Sequence, residues 1–193
     1  YLGKNKFLSF IIPEKYGGKN LSVSELSSIL VKISSQNPAL GVSVMVPNSL
    51  GPGELISEYG TQEQKDYYLP KLANGDFIPC FGLTGPNNGS DALGSIDKGV
   101  LVKKDDKLVI KTHVNKRYIT MAPVANLIGL AIHLEDPHNL LKEGVEGITL
   151  ILVDKKECDV EINTHHNPLN IGFPNGTIKG EIEISIDNVI GGE

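Results

Sequence analysis

The sequence predicts an α+β fold, with a helical first third and a strand-rich remainder that closes as a barrel or sandwich. Two observations carry this. Up to about Asn74 the apolar residues recur at helical spacing behind capping signals. After Gly75 the pattern changes to alternation and short apolar runs separated by Gly, Pro and Asn. Composition agrees: 193 residues, 40% hydrophobic and 21% charged, is ordinary globular material with enough chain for a large core. The boundary falls near Asn74, giving segments 1–74 and 75–193.

Ser22-Val23-Ser24-Glu25 has the form of a capping box, in which hydroxyl and carboxylate each satisfy a free backbone N–H. Leu26, Ile29, Leu30 and Ile33 then form one stripe through about Ser35, bounded by Gly17-Gly18 and Asn37-Pro38. A second apolar stretch, Leu40 to Met45, ends near Pro47, and a short helix is expected from Pro52 to Tyr59, stopping at Gly60. Thr61-Gln62-Glu63-Gln64 is a second capping box, opening a helix that Pro70 should bend or end before Gly75.

In the second segment, Phe77 to Leu83 is a compact apolar run. Leu108, Ile110, Thr112 and Val114 alternate with polar neighbours as in a half-buried strand, and Asp105-Asp106 suits a hairpin turn. Leu127 to Ile132 and Ile148 to Val153 read as strands from their β-branched content and flanks. Val160 and Ile162, then Ile178, Ile182, Ile184 and Ile186, complete the set.

Several function classes lose support. The 18 Lys and Arg stand against 23 Asp and Glu, net charge is −5, and no basic block stands out, so nucleic acid is not an expected partner. No apolar run approaches the ~20 residues of a membrane-spanning helix. Two cysteines, Cys80 and Cys158, without CxxC spacing, favour a reduced intracellular setting over a disulfide framework. Asn88-Gly89-Ser90 and Asn175-Gly176-Thr177 have sequon form but are read as turns. The chain starts at Tyr1 and stops at Gly192-Glu193, which reads as a piece of a longer protein.

The richest candidate for chemistry is Phe81-Gly82-Leu83-Thr84-Gly85-Pro86-Asn87-Asn88-Gly89-Ser90-Asp91. A strand empties into a Gly/Asn/Ser loop whose N–H groups and hydroxyls suit an anionic or heteroaromatic ligand; the plainer reading is a surface loop. It matches neither the P-loop nor the dinucleotide fingerprint. In Asn115-Lys116-Arg117-Tyr118-Ile119-Thr120, the Tyr118 ring and Thr120 hydroxyl are two positions apart and should share one strand face; a core Tyr beside a Thr is the plainer reading. His165-His166, if in a strand, would point to opposite faces and chelate one ion poorly. No Gly-x-Ser-x-Gly elbow supports a hydrolase triad.

Taken in order, these pieces resemble the acyl-CoA dehydrogenases. The resemblance runs through Ile12-Pro13-Glu14-Lys15-Tyr16-Gly17-Gly18 and Tyr59-Gly60-Thr61-Gln62-Glu63-Gln64-Lys65 with Tyr68-Leu69-Pro70-Lys71-Leu72. It continues through Leu83-Thr84-Gly85-Pro86 to Gly89-Ser90-Asp91 and through Lys116 to Thr120, and closes on Ile186-Asp187-Asn188-Val189-Ile190-Gly191-Gly192. The segments Val46-Pro47-Asn48-Ser49-Leu50-Gly51-Pro52-Gly53-Glu54-Leu55 and Ile78-Pro79-Cys80-Phe81 look like the large bacterial branch acting on medium- and long-chain fatty acyl-CoA.

The resemblance implies that residues 1–74 end an N-terminal helical domain, that 75–193 form the middle β-barrel, and that a C-terminal helical domain is absent. It implies FAD as cofactor, fatty acyl-CoA as substrate oxidised to the trans-2-enoyl-CoA in fatty-acid β-oxidation, and an electron-transferring flavoprotein as partner. A homo-oligomeric parent in the bacterial cytoplasm, or associated with a membrane, is the corresponding expectation. Phe81, Leu83, Thr84, Gly89, Ser90, Tyr118, Ile119 and Thr120 would hold the flavin, with Thr84 at the pyrimidine edge, Tyr118 over one ring face and Thr120 near N5. Ser90 would also meet the CoA portion of the substrate. Gly85 stands where much of the family has Glu, and Tyr118 where Trp is more common. The catalytic base is expected in the missing domain, so no residue here is assigned that role and the piece alone should be inactive. A same-fold acyl-CoA oxidase or monooxygenase, and a non-catalytic acyl-CoA-binding barrel, are the alternatives.

Overall fold

The computed structural model describes residues 1–49, 51–92, 94, 96–141, 147–164 and 166–192. Leu50 and His165, which figure in the sequence motifs, lie outside the described residues. Four helices come first: α1 (Val23–Gln36), α2 (Pro38–Met45), α3 (Pro52–Tyr59) and α4 (Gln62–Asn74). Strands follow: β1 (Pro79–Gly82), β2 (Lys98–Lys104), β3 (Lys107–Thr120), β4 (Leu127–Glu135), β5 (Gly147–Asp154), β6 (Glu161–Ile162) and β7 (Asn175–Ser185).

Both capping boxes form. Ser22 N–H donates to Glu25 Oε2 at 2.9 Å while Ser22 Oγ accepts from Glu25 N–H, and Thr61 and Gln64 repeat the arrangement on α4. Helix α4 does not end at Pro70. It continues to Asn74, where Gly75 at φ 79° closes it. Pro70 removes one intrahelical bond, but Leu69 and Leu72, both in the core, anchor the helix on either side of the ring.

The strands form one seven-stranded sheet with order β1-β4-β2-β3-β7-β6, and β5 pairs with β4 off that path. Strand β5 occupies one edge of β4 from Leu127 to Leu134. Strands β1 and β2 therefore share the other edge, β1 at Leu127–Leu130 and β2 at His133–Glu135, both parallel to β4. The apolar run from Leu127 to Ile132 is buried at every position because both faces are covered. One face joins Leu101, Ile110, Val114, Ile178 and Ile182 inside the sheet's curl; Leu127 packs instead with Ile12, Ile56, Leu69 and Phe77 beneath the helices. The hairpin between β2 and β3 turns on Asp105 and Asp106, both at positive φ.

Two sequence expectations are corrected. Asn175-Gly176-Thr177 is not a turn: it opens β7, is buried, and pairs with the end of β3. Its turn-like composition is outweighed by the ladder and by Asn163, whose side chain accepts from Thr177 N–H. His166 lies outside any strand, between β6 and β7, so strand alternation does not govern it.

Helices and sheet are fastened at Gln64. Its Nε2 donates to the carbonyls of Asp187 (3.0 Å) and Val189 (2.7 Å), and its Oε1 accepts from Thr61 N–H and Gly191 N–H, each at 3.1 Å.

Candidate functional site

The split edge of β4 creates the site. Because β1 and β2 occupy successive stretches of the same edge, the chain between them must leave the sheet, and it does so at Leu83. Beside this exit lies a hollow of about 250 Å³ lined by Met45, Val46, Phe81, Leu83, Thr84, Tyr118, Ile119 and Thr120. Six of the eight residues expected to bind a ligand are thus brought together. Gly89 and Ser90 are not among the lining residues; they sit exposed further along the loop, with open space at the Gly89 Cα.

Behind the wall of the hollow, Leu83 is held by Lys116, a residue for which the sequence suggests no role. Its side chain is 1% exposed, and its Nζ lies 3.2 Å from Asp97 Oδ2. It donates to the carbonyls of Ala131 (2.8 Å) and Leu83 (3.3 Å). Burial pulls the ammonium below the ordinary lysine range, and the Asp97 carboxylate pushes it back up. The signal was available: Ile110, Thr112, Val114 and Lys116 alternate on the inward face of β3.

The loop is then fixed by its own amides. Asn88 Nδ2 donates to Leu83 O at 3.3 Å, and Asn88 Oδ1 accepts from Gly85 N–H at 2.7 Å. A Cβ on Gly85 would stand 2.9 Å from both Asn115 O and Asn88 Oδ1, so this position is closed to larger residues without a shift. Thr84 is bound to β3 twice: Arg117 N–H donates to Thr84 O at 3.0 Å and Thr84 Oγ1 donates to Arg117 O at 2.9 Å.

Simple alternation does not place Tyr118 and Thr120 on one face. The β3–β7 register shifts between Lys116 and Ile119, and Tyr118 takes φ 57° in that bulge. The bulge turns Tyr118 outward, 51% exposed, and lets Tyr118, Ile119 and Thr120 all line the hollow. His166 stacks on the Tyr118 ring, centroids 4.1 Å apart and 18° from parallel, and the Arg117 guanidinium lies 4.9 Å from the ring centroid. Thr120 Oγ1 accepts from Asn175 Nδ2 at 3.2 Å. The hollow therefore offers two hydroxyls of opposite character. Thr84 has spent its proton and retains an acceptor; Thr120 accepts on its oxygen and retains its proton.

Comparison with known proteins places this geometry in a lineage. Residues 1–76 match the model for the acyl-CoA dehydrogenase N-terminal domain. The chain is 30% identical over 195 residues to an acyl-CoA dehydrogenase of Bacillus subtilis, covering 100% of this chain and 48% of that protein. The similarity to acyl-CoA dehydrogenases thus runs along the whole chain. A (2S)-methylsuccinyl-CoA dehydrogenase of Cereibacter sphaeroides is 34% identical over 90% of this chain and 28% of its own length. The fold is shared with an acyl-CoA dehydrogenase complexed with FAD from Bacillus anthracis, at TM-score 0.81 and 23% identity over 98% of this chain and 31% of that one. The chain thus spans about half or less of the length of these acyl-CoA dehydrogenases. Among the described residues of the matched segment 1–76, only Met45 and Val46 reach the hollow. The remaining wall comes from β1, the loop after it and the end of β3.

Proposed function

We propose that the hollow holds the isoalloxazine ring of FAD and that the whole protein is an α,β-dehydrogenase of acyl-CoA thioesters. The observation that carries this is the opposed pair of hydroxyls on one apolar wall. A flavin has a ring N–H at its pyrimidine edge and a bare nitrogen at N5, so it asks for one acceptor and one donor. Thr84 and Thr120 fit that demand, and Phe81, Leu83, Ile119 and Tyr118 supply apolar and aromatic surface for a planar ring. Bound FAD would supply hydride acceptance at N5, chemistry that side chains lack.

This chain's own part is placement. The Thr120 hydroxyl would donate where electron density arrives, by the logic of an oxyanion hole. The Lys116 and Asn88 contacts on Leu83 O fix the loop that would meet the pyrimidine edge. No carboxylate lines the hollow among the described residues, so the base that takes the substrate's α-proton is assigned to a part of the protein beyond this chain. The relatives' names carry different acyl groups, methylsuccinyl-CoA and isovaleryl-CoA among them; a fatty acyl-CoA of β-oxidation is the proposed substrate for this protein. The proposed electron acceptor is an electron-transferring flavoprotein.

The test is a visible spectrum of the full-length protein before and after anaerobic addition of a long-chain acyl-CoA. A flavin band that bleaches is the expected result. A protein that retains no flavin after reconstitution with FAD overturns the reading.

A further inference from the structure

We infer that Asn175 is a positioning residue that decides which way the Thr120 hydroxyl proton faces. Asn175 opposes Thr120 directly in the β3–β7 ladder and is 3% exposed. Its Nδ2 donates to Thr120 Oγ1 at 3.2 Å. A hydroxyl that accepts from an amide on one side keeps its own proton for another partner, here one inside the hollow.

The surroundings leave Asn175 little else to do. Met121 N–H donates to Pro174 O at 2.8 Å, which pins the two strands beyond the pair. A Cβ on Gly176 would stand 1.9 Å from Asn163 O, so the backbone on the other side is pressed against its neighbour. The far end of the amide gains nothing: Asn175 Oδ1 is buried with no hydrogen-bond partner. Leaving a carbonyl dry and unpaired opposes folding. A residue kept there at that cost, with its one side-chain bond on Thr120, fits a role at the hollow better than a role in the core.

The inference rests on the flavin reading, and the experiment separates the two. In the full-length protein, FAD affinity is titrated by flavin fluorescence and the two-electron midpoint potential is measured. Four variants are compared with wild type: Thr120→Val, Asn175→Asp, Asn175→Ala and the double Thr120→Val/Asn175→Asp. Asp is near-isosteric but can only accept, so it draws the Thr120 proton away from the hollow. The expected result is that Thr120→Val and Asn175→Asp each weaken stabilisation of the reduced over the oxidised ring about tenfold, a drop of about 30 mV for a two-electron couple. Asn175→Ala, which frees the hydroxyl without turning it, should fall between.

The double variant should drop no further than Thr120→Val alone. An added carboxylate charge acting through space would persist in that background, and such persistence overturns the inference. So does a normal potential in both Asn175 variants when Thr120→Val is shifted; the flavin reading then stands without Asn175. If Thr120→Val alters neither affinity nor potential, the flavin reading and the inference fall together.

Discussion

Thr84 and Arg117 hold each other by two hydrogen bonds that run in opposite directions between the loop after β1 and the end of β3. The backbone bond fixes the height of the loop above the strand, and the hydroxyl bond fixes the Thr84 rotamer. Together they leave Thr84 Oγ1 with acceptor capacity only.

Thr84→Val keeps the shape and removes the hydroxyl. We expect a loss of about 1 kcal/mol of stability, the usual net value of one such bond. Where Thr84 also accepts from FAD, affinity should weaken by roughly five- to tenfold. Urea unfolding and an FAD titration of the full-length protein read the two effects separately. Unchanged FAD affinity would mean that the Thr84 oxygen faces no ligand.

Lys116→Met should be costly, because it leaves the Asp97 carboxylate and the Leu83 carbonyl without their cation. Breaking a buried pair costs roughly 3–5 kcal/mol, and Asp97 keeps a bond from Asn115 N–H, so the lower end applies. The sign of the pH effect follows from burial. The folded state holds the Lys116 proton less firmly than the unfolded chain, so between its lowered pKa and 10.5 the unfolded chain binds more protons. Stability from this group therefore rises with pH through that window. Wild type should gain on Lys116→Met as urea titrations move from pH 7 towards pH 10; a constant gap would contradict the burial effect.

Gly85, which the resemblance to the acyl-CoA dehydrogenases marks as a departure, has a structural reason to be small. Its missing side chain lets the loop lie against the Asn115 carbonyl. Gly85→Ala should lose about 1–3 kcal/mol as an overpacked position, and Gly85→Glu at least as much. Asn88 can swing aside, but the Asn115 backbone cannot without disturbing β3. Thermal melting of both variants checks this; full stability in Gly85→Glu would show that the loop has a second arrangement.

The two thiols should differ in reactivity. Burial pushes the Cys80 thiol up to about 12, and Cys158, half-buried near Asp154, Asp159 and Glu157, is raised as well. At pH 8, alkylation read by mass spectrometry should label Cys158 slowly and leave Cys80 untouched until urea is added. Labelling of Cys80 in the native protein at the denatured rate would place it outside the core.

The helices were legible because their signals are local: each capping box spans four consecutive residues and needs no distant partner. The hairpin at Asp105-Asp106 and the alternation from Leu108 to Val114 were legible for the same reason. The candidate site was legible only in part. Phe81, Leu83, Thr84 and Thr120 could be named, but the bulge at Tyr118 has no sequence signal, since a tyrosine does not announce a positive φ. His166 meets Tyr118, and Asn175 meets Thr120, only because β7 returns to pair with β3. Asn175-Gly176-Thr177 misled for the same reason: its composition speaks for a turn, and only the partner strand overrules it.

The amide of Gln64 has a consequence for the order of folding. Its bond to Thr61 N–H closes within one turn of helix, whereas its bond to Asp187 O spans 123 residues of chain. The near half can form as soon as α4 nucleates; the far half must wait until the last strand has docked. One side chain is thus both the first knot tied and the last, and an α4 protected from hydrogen exchange along its whole length is a sign that the sheet behind it is complete.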